Sequence, residues 1–273
     1  LIGASLGLAG KERGVFGEVI GVGRNRMNLE TARLRGAVDR FVHDPSEVCG
    51  DADLVVLATP VASILSIGRQ LASRLRRGTC VTDVGSVKQP LVEGLEEVLP
   101  EGILFVGGHP IAGSEASGAG AAVSGLFEGS RTILTPTVQT HPEALRKIRA
   151  LWEKLGSRVI EMDAKEHDLL LAAVSHLPHM AAYALVNTLS DLEREGVADL
   201  SPYAAGGFKD ITRIASSSPE MWRDICRMNR EPILKMIDRY EAALNRIREL
   251  IVEEESDPLM RQFEKARDYR NAL

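Results

Sequence analysis

Over its first three-fifths the chain alternates short, continuous apolar runs with stretches of helical period. Residues 18–23 (EVIGVG), 53–60 (DLVVLATP), 79–84 (TCVTDV), 103–106 (ILFV), 131–135 (RTILT) and 158–162 (RVIEM) read as strands. Most lack the polar alternation of a half-exposed strand, as expected for parallel strands buried on both faces. Helical spacing of apolar residues fills 28–36, 61–75, 87–99 and 142–155, and residues 1–18 read as a helix already under way. Strands alternating with helices predict an α/β fold, a Rossmann-like doubly wound parallel sheet. From residue 163 the period is helical almost to the end, with helices expected over 165–194, 219–229 and 231–255 and a turn at Gly206-Gly207. Asp163 with Glu166 has capping-box spacing, and Ser218 before Pro219 places a cap ahead of a first-turn proline. Two domains follow: a dinucleotide-binding domain over 1–162, its first strand apparently missing, and an all-helical domain over 163–273.

Composition narrows the function classes. Of 273 residues 44% are hydrophobic and 26% charged, with a net charge of -5 and no block of basic residues, which argues against a nucleic-acid partner. The three cysteines, Cys49, Cys80 and Cys226, are widely spaced, show no metal-ligand pattern and suit a reducing compartment. The apolar start lacks a basic leader, and no uninterrupted apolar run reaches the eighteen or so residues that span a bilayer. These features lead us to expect a cytoplasmic protein with no membrane partner.

The candidate chemistry gathers around residues 105–118, FVGGHPIAGSEASG. Gly107 and Gly108 allow close approach to the backbone, and Pro110 biases His109 towards an extended conformation at the strand exit. In open α/β sheets ligands lie beyond the carboxyl ends of the strands. Leu1-Ile2-Gly3 reads as the end of a glycine-rich dinucleotide fingerprint, Gly3 packing helix against sheet, with the earlier glycines upstream. Residues 21–26 (GVGRNR) lack the acid that binds a ribose 2′-hydroxyl, so Arg24 and Arg26 either hold a 2′-phosphate or are solvated. In residues 83–88 (DVGSVK), Ser86 either caps the next helix, with Gln89 at capping-box spacing, or turns its hydroxyl towards the crevice of His109. His176, His179 and Tyr183 share one helix face, where Pro178 removes a backbone hydrogen bond; they are buried structural groups or pocket residues, and no metal site is expected. Arg213, among small and hydroxylated neighbours, is either a surface ion pair or a bidentate carboxylate anchor.

Together, residues 83–88 (DVGSVK), 108–113 (GHPIAG), 175–179 (SHLPH), 207–213 (GFKDITR) and 221–224 (MWRD) resemble, in order, the motifs of the prephenate/arogenate dehydrogenases of tyrosine biosynthesis. The resemblance covers nearly the whole chain and implies the monofunctional core of that family. It implies oxidative decarboxylation of prephenate or arogenate with hydride transfer to NAD(P), NADP being favoured by Arg24, and a homodimer built through the helical domain. By this resemblance His109 and Ser86 are catalytic, Arg213 binds a substrate carboxylate, and Ser114, His179 and Trp222 line the pocket. The cofactor is expected along Gly3, Ser5, Arg24, Thr59, Pro60 and Ser86. An ordinary histidine pKa near 6.5 would put the loss of activity at roughly pH 6–7. A β-hydroxyacid-type dehydrogenase shares the domain order but usually depends on a lysine in the helical domain, and a single histidine at a strand exit fits it less well. A non-catalytic NAD(P)-binding sensor would keep the Rossmann half without needing His109, Ser86 and Arg213 to converge.

Overall fold

A computed structural model of the chain describes residues 1–113, 116–196, 199 and 201–273. Helix α1 (Ile2–Glu12) precedes strand β1 (Ile20–Val22), helix α2 (Arg26–Leu34) and strand β2 (Arg40–Val42). Then come β3 (Leu54–Leu57), α3 (Val61–Ala72), β4 (Cys80–Asp83), α4 (Gln89–Val98), β5 (Leu104–Ile111), β6 (Arg131–Thr135), α5 (Pro142–Lys154) and β7 (Arg158–Glu161). The helical part comprises α6 (Ala164–Leu171), a π-helical turn (Ala172–His176), α7 (Leu177–Arg194), α8 (Gly206–Thr212), α9 (Pro219–Met228), α10 (Arg230–Val252) and α11 (Ser256–Asn271).

The strands form a five-stranded sheet in the order β3-β4-β5-β6-β7 and a separate parallel pair, β1-β2. The sheet is mostly rather than wholly parallel, because β5 and β6 run antiparallel. Strand β5 is also longer than its apolar run. It continues through Gly107–Ile111 by exchanging its partner: Leu104–Val106 pair with β4, and Gly107–Ile111 pair with β6. His109 therefore lies within the strand, opposite Ile133, and not at its exit. Strand β2 escaped the sequence reading because three residues carry too little periodicity to register.

Helices cover both faces of the larger sheet. On one side α3 and α4 pack Val61, Ile64, Leu71, Leu91 and Leu95 against the strands, joined by Ala172, Trp222, Ile225 and Ile233 of the helical part. On the other, Leu6 and Ala9 of α1 meet Phe127 and α5 residues Ile148, Leu151 and Trp152. Phe127 and Trp152 are edge-to-face at 5.2 Å. Two expected helix starts are seen: Asp163 accepts from the Lys165 and Glu166 amides, and the Ser218 hydroxyl accepts from the Met221 amide. Gly206 and Gly207 begin helix α8, where a turn was expected.

From Ala164 to Arg194 the chain is one continuous 31-residue helix whose most apolar 18-residue stretch has a mean hydropathy of 1.6, long and apolar enough to cross a membrane. Counting uninterrupted apolar runs missed this, since scattered Ser, His and Asn residues break each run while leaving the average high. Leu169, Leu170, Val174, Leu185 and Leu192 of this helix are exposed, as are Leu234 and Leu244 of α10 and Phe263 of α11.

Candidate functional site

The site is built where β4 ends and β5 passes from β4 to β6, beside the first turn of α4. Asp83 closes β4; its carboxylate accepts from the Gly85 amide (2.8 Å) and the Gly108 amide (3.1 Å). Lys88, fully buried, sets its ammonium against the same carboxylate and donates to the Gly108 carbonyl at 2.8 Å. Burial pushes the Lys88 ammonium down and the Asp83 charge opposes it. The peptide on each side of Gly108 is thus clamped just before His109. A Cβ on Gly107 would stand 2.5 Å from Thr135 Oγ1 and 2.7 Å from Val92, and one on Gly108 would stand 2.9 Å from the Asp83 carbonyl. The close approach these glycines permit is to β6, α4 and β4, not to a ligand.

His109 is half-buried, and its Nδ1 lies 2.8 Å from His167 Nε2. His167 in turn sets Nδ1 2.8 Å from Asp168 Oδ1. The same carboxylate accepts from the Lys88 amide (2.7 Å) and the Gln89 amide (2.9 Å), capping α4 from the helical domain. Ser86 is therefore not the cap of α4, and the Gln89 side chain turns to Glu93. The Ser86 hydroxyl makes no hydrogen bond to another described residue. Burial, reinforced by His167, Lys88 and His176, holds the His109 imidazole well below its usual pKa. The neutral, proton-accepting form thus persists below the pH range expected for an ordinary histidine.

A second cluster lines the long helix. With Pro178 lacking an N–H, the helix widens into the π turn one turn earlier, and His179 Nδ1 sits 2.9 Å from the Ser175 carbonyl. The His179 ring stacks on Trp222 at 3.8 Å, and His176 meets the same indole edge-on at 5.7 Å. Trp222 is buried, and its Nε1 has no partner among the described residues. It backs His179 instead of presenting an open face. Asn229 donates through Nδ2 to the Asp168 carbonyl (2.9 Å) and reaches His176 Nδ1 (3.0 Å), tying this cluster to the first. Burial lowers the His176 pKa to about 4. Tyr183 donates to the Ser217 carbonyl at 2.9 Å, fixing on α7 the turn that Arg213 opens. The Arg213 side chain is exposed. Ser114 lies outside the described residues.

At the other end of the crevice, Gly3 approaches the end of β3 as expected: an added Cβ would stand 2.9 Å from Ala58 Cβ. Thr59 Oγ1, just beyond, is buried with no partner among the described residues, and Pro60 beside it is exposed. A close helix N-terminus and an unsatisfied buried hydroxyl fit the edge of a dinucleotide site. Ser5, expected along the cofactor, is fully buried, and its hydroxyl accepts from the Val123 amide at 3.1 Å. Arg24 follows β1, exposed and without an ion-pair partner among the described residues, whereas Arg26 lies in α2 near Glu30.

His167, Asp168 and Asn229 escaped the sequence reading. A signal was present for the first two: with Ala164, Leu171 and Ala172 they hold positions i, i+3, i+4, i+7 and i+8, the buried stripe of the helix. Polar residues on an apolar stripe are the informative exception.

The fold and the site define a class: a Rossmann-type nucleotide-binding domain with a helical domain whose residues reach back to the ends of its strands. Residues 6–161 match the family model described as prephenate dehydrogenase, nucleotide-binding domain, and residues 163–265 that described as prephenate dehydrogenase, dimerization domain. The chain belongs to the prephenate dehydrogenase family. It is 38% identical to prephenate dehydrogenase of Bacillus subtilis, over all of this chain and 74% of that one. It is 35% identical to cyclohexadienyl dehydrogenase of Zymomonas mobilis, over 89% of this chain and 83% of the relative. The crystal structure of A. aeolicus prephenate dehydrogenase in complex with hydroxyphenyl propionate and NAD+ superposes with a TM-score of 0.92 at 38% identity, covering 98% of this chain and 93% of the other.

Proposed function

We propose that this chain is a cytoplasmic nicotinamide-dependent dehydrogenase that oxidises and decarboxylates prephenate or arogenate, giving 4-hydroxyphenylpyruvate or tyrosine. The observation that carries this reading is His109, kept neutral in the crevice of a chain that matches the family along nearly its whole length. Bound nicotinamide would supply the hydride acceptor. The protein's own task is the proton. As the carbon bearing the 4-hydroxyl loses hydride it becomes carbonyl-like, and its oxygen must release a proton to a base. His109 accepts that proton, with the Ser86 hydroxyl as second partner of the oxygen. Loss of the ring carboxylate as CO2 then sends an electron pair through the ring to the same oxygen. That oxygen takes the proton back as the ring becomes a phenol.

Arg213 is proposed to hold a substrate carboxylate, with His179 on its Trp222 support and Ser114 lining the same pocket. Gly3, Thr59 and Pro60 would border the cofactor, and Arg24, at the end of β1, favours NADP over NAD. The exposed apolar residues of the Ala164–Arg194 helix, in a region matching a dimerization domain, support a homodimer in which a second copy covers them. The test is absorbance at 340 nm on mixing the protein with prephenate or arogenate and each nicotinamide. Reduction with at least one pair is expected, and none with any would refute the reading.

A further inference from the structure

Asp168 is surrounded by donors. The Lys88 amide and His167 Nδ1 both approach Oδ1, and the Gln89 amide approaches Oδ2. Backbone amides can only donate, and the N-terminus of α4 favours negative charge, so Asp168 is a carboxylate that accepts from all three. His167 must then carry its proton on Nδ1 and its lone pair on Nε2. That lone pair faces His109 Nδ1 at 2.8 Å, with the rings edge-on at 64° rather than stacked. A hydrogen bond there requires the proton on His109 Nδ1, leaving Nε2 of His109 as the bare acceptor.

We propose that Asp168 and His167 are positioning residues that lock His109 in its Nδ1–H tautomer and so present the Nε2 lone pair to the substrate hydroxyl. The last step rests on the function proposed above; the tautomer itself does not. An isolated neutral histidine exchanges its proton between both nitrogens, and the wrong tautomer would offer the hydroxyl a donor. The logic is that of any base whose remote nitrogen is oriented by a carboxylate, here with one imidazole interposed. The titratable groups that act on His109 are His167 from α6, Lys88 at the start of α4 and His176 from the π turn, with Asp168 behind His167 and Asp83 beside Lys88. Burial keeps both histidines of the relay mainly neutral, so the chain of donors runs in one direction. Asp168 also caps α4, so one carboxylate joins the helical domain to the sheet domain and sets the base between them.

Two measurements test this. In uniformly 15N-labelled protein near pH 8, long-range 1H–15N correlations of the ring assigned to His109, by its loss in His109→Asn, should show Nδ1 protonated and Nε2 bare. The opposite pattern would overturn the proposal whether or not the protein turns over prephenate. In steady-state kinetics, His167→Leu should lower kcat at least tenfold with KM within about twofold. His167→Gln, whose amide oxygen falls near the former Nε2, should recover most of that loss. Unchanged turnover in His167→Leu, or an equal loss in both variants, would overturn the positioning role. Absent activity in the wild-type protein would refute the proposed function, and the correlation spectrum would still decide the tautomer.

Discussion

Lys88→Met removes the cation from a fully buried ion pair, and its cost can be worked from the contacts. Lys88 and Asp83 are both 0% exposed. Losing one partner of a buried pair costs about 3–5 kcal/mol, because the other charge remains uncompensated. Asp83 keeps two backbone donors, the Gly85 and Gly108 amides, which places the cost nearer the lower figure. The Gly108 carbonyl, bonded at 2.8 Å to the ammonium, is left without that donor and adds to the loss. A total of about 3–4 kcal/mol is expected. Urea slopes of roughly 1–3 kcal/mol/M convert this to a fall in midpoint of about 1–4 M. The assay is urea denaturation followed by circular dichroism at one fixed protein concentration, since assembly contributes to stability. Adding Asp83→Asn to Lys88→Met should restore at least about 1 kcal/mol by removing the stranded charge. A Lys88→Met loss below about 1 kcal/mol, or no recovery in the double variant, would refute the buried-pair argument.

Three further outcomes are expected. His109→Asn should lower turnover by about 100-fold or more with little change in KM, and the wild-type acid limb should lie below the ordinary histidine pKa because burial depresses it; a pH–rate profile of both proteins checks this. Arg24→Ala should raise KM for NADP and leave KM for NAD nearly unchanged, a difference of about 1.5–3 kcal/mol for a guanidinium–phosphate pair, and equal losses with both cofactors would refute it. His176, with its folded pKa near 4 against about 6.5 unfolded, binds its proton more readily in the unfolded chain. Stability should therefore be full above pH 6.5 and fall by roughly 3 kcal/mol towards pH 4. His176→Gln should remove that share of the slope in denaturation series across this range.

The sequence by itself determined the elements whose signal is local. Six of the seven strands, the helices between them and the caps at Asp163 and Ser218 follow from period and hydrogen-bonding chemistry within a few residues. The motifs around His109, Ser86, His179 and Arg213 were legible for a related reason, since each is a short, ordered string. Tertiary structure decided what depends on partners far along the chain. Strand β5 runs on through two glycines and a proline, residues of poor strand propensity, because β6 pairs with them from the other side. Ser86 has the spacing of a cap but yields that place to Asp168, about eighty residues later, whose carboxylate meets two amides of α4 at once. Ser5 sits where a cofactor contact was expected, yet its hydroxyl is taken by a loop more than a hundred residues away. Lys88 becomes the buried clamp beneath His109 only when β4, β5 and α4 close around it. Propensity and spacing act over a turn or two, whereas burial and the partner of a buried polar group are properties of the assembled core. The depressed pKa of His109 is such a property, set first by burial and then by His167, Lys88 and His176.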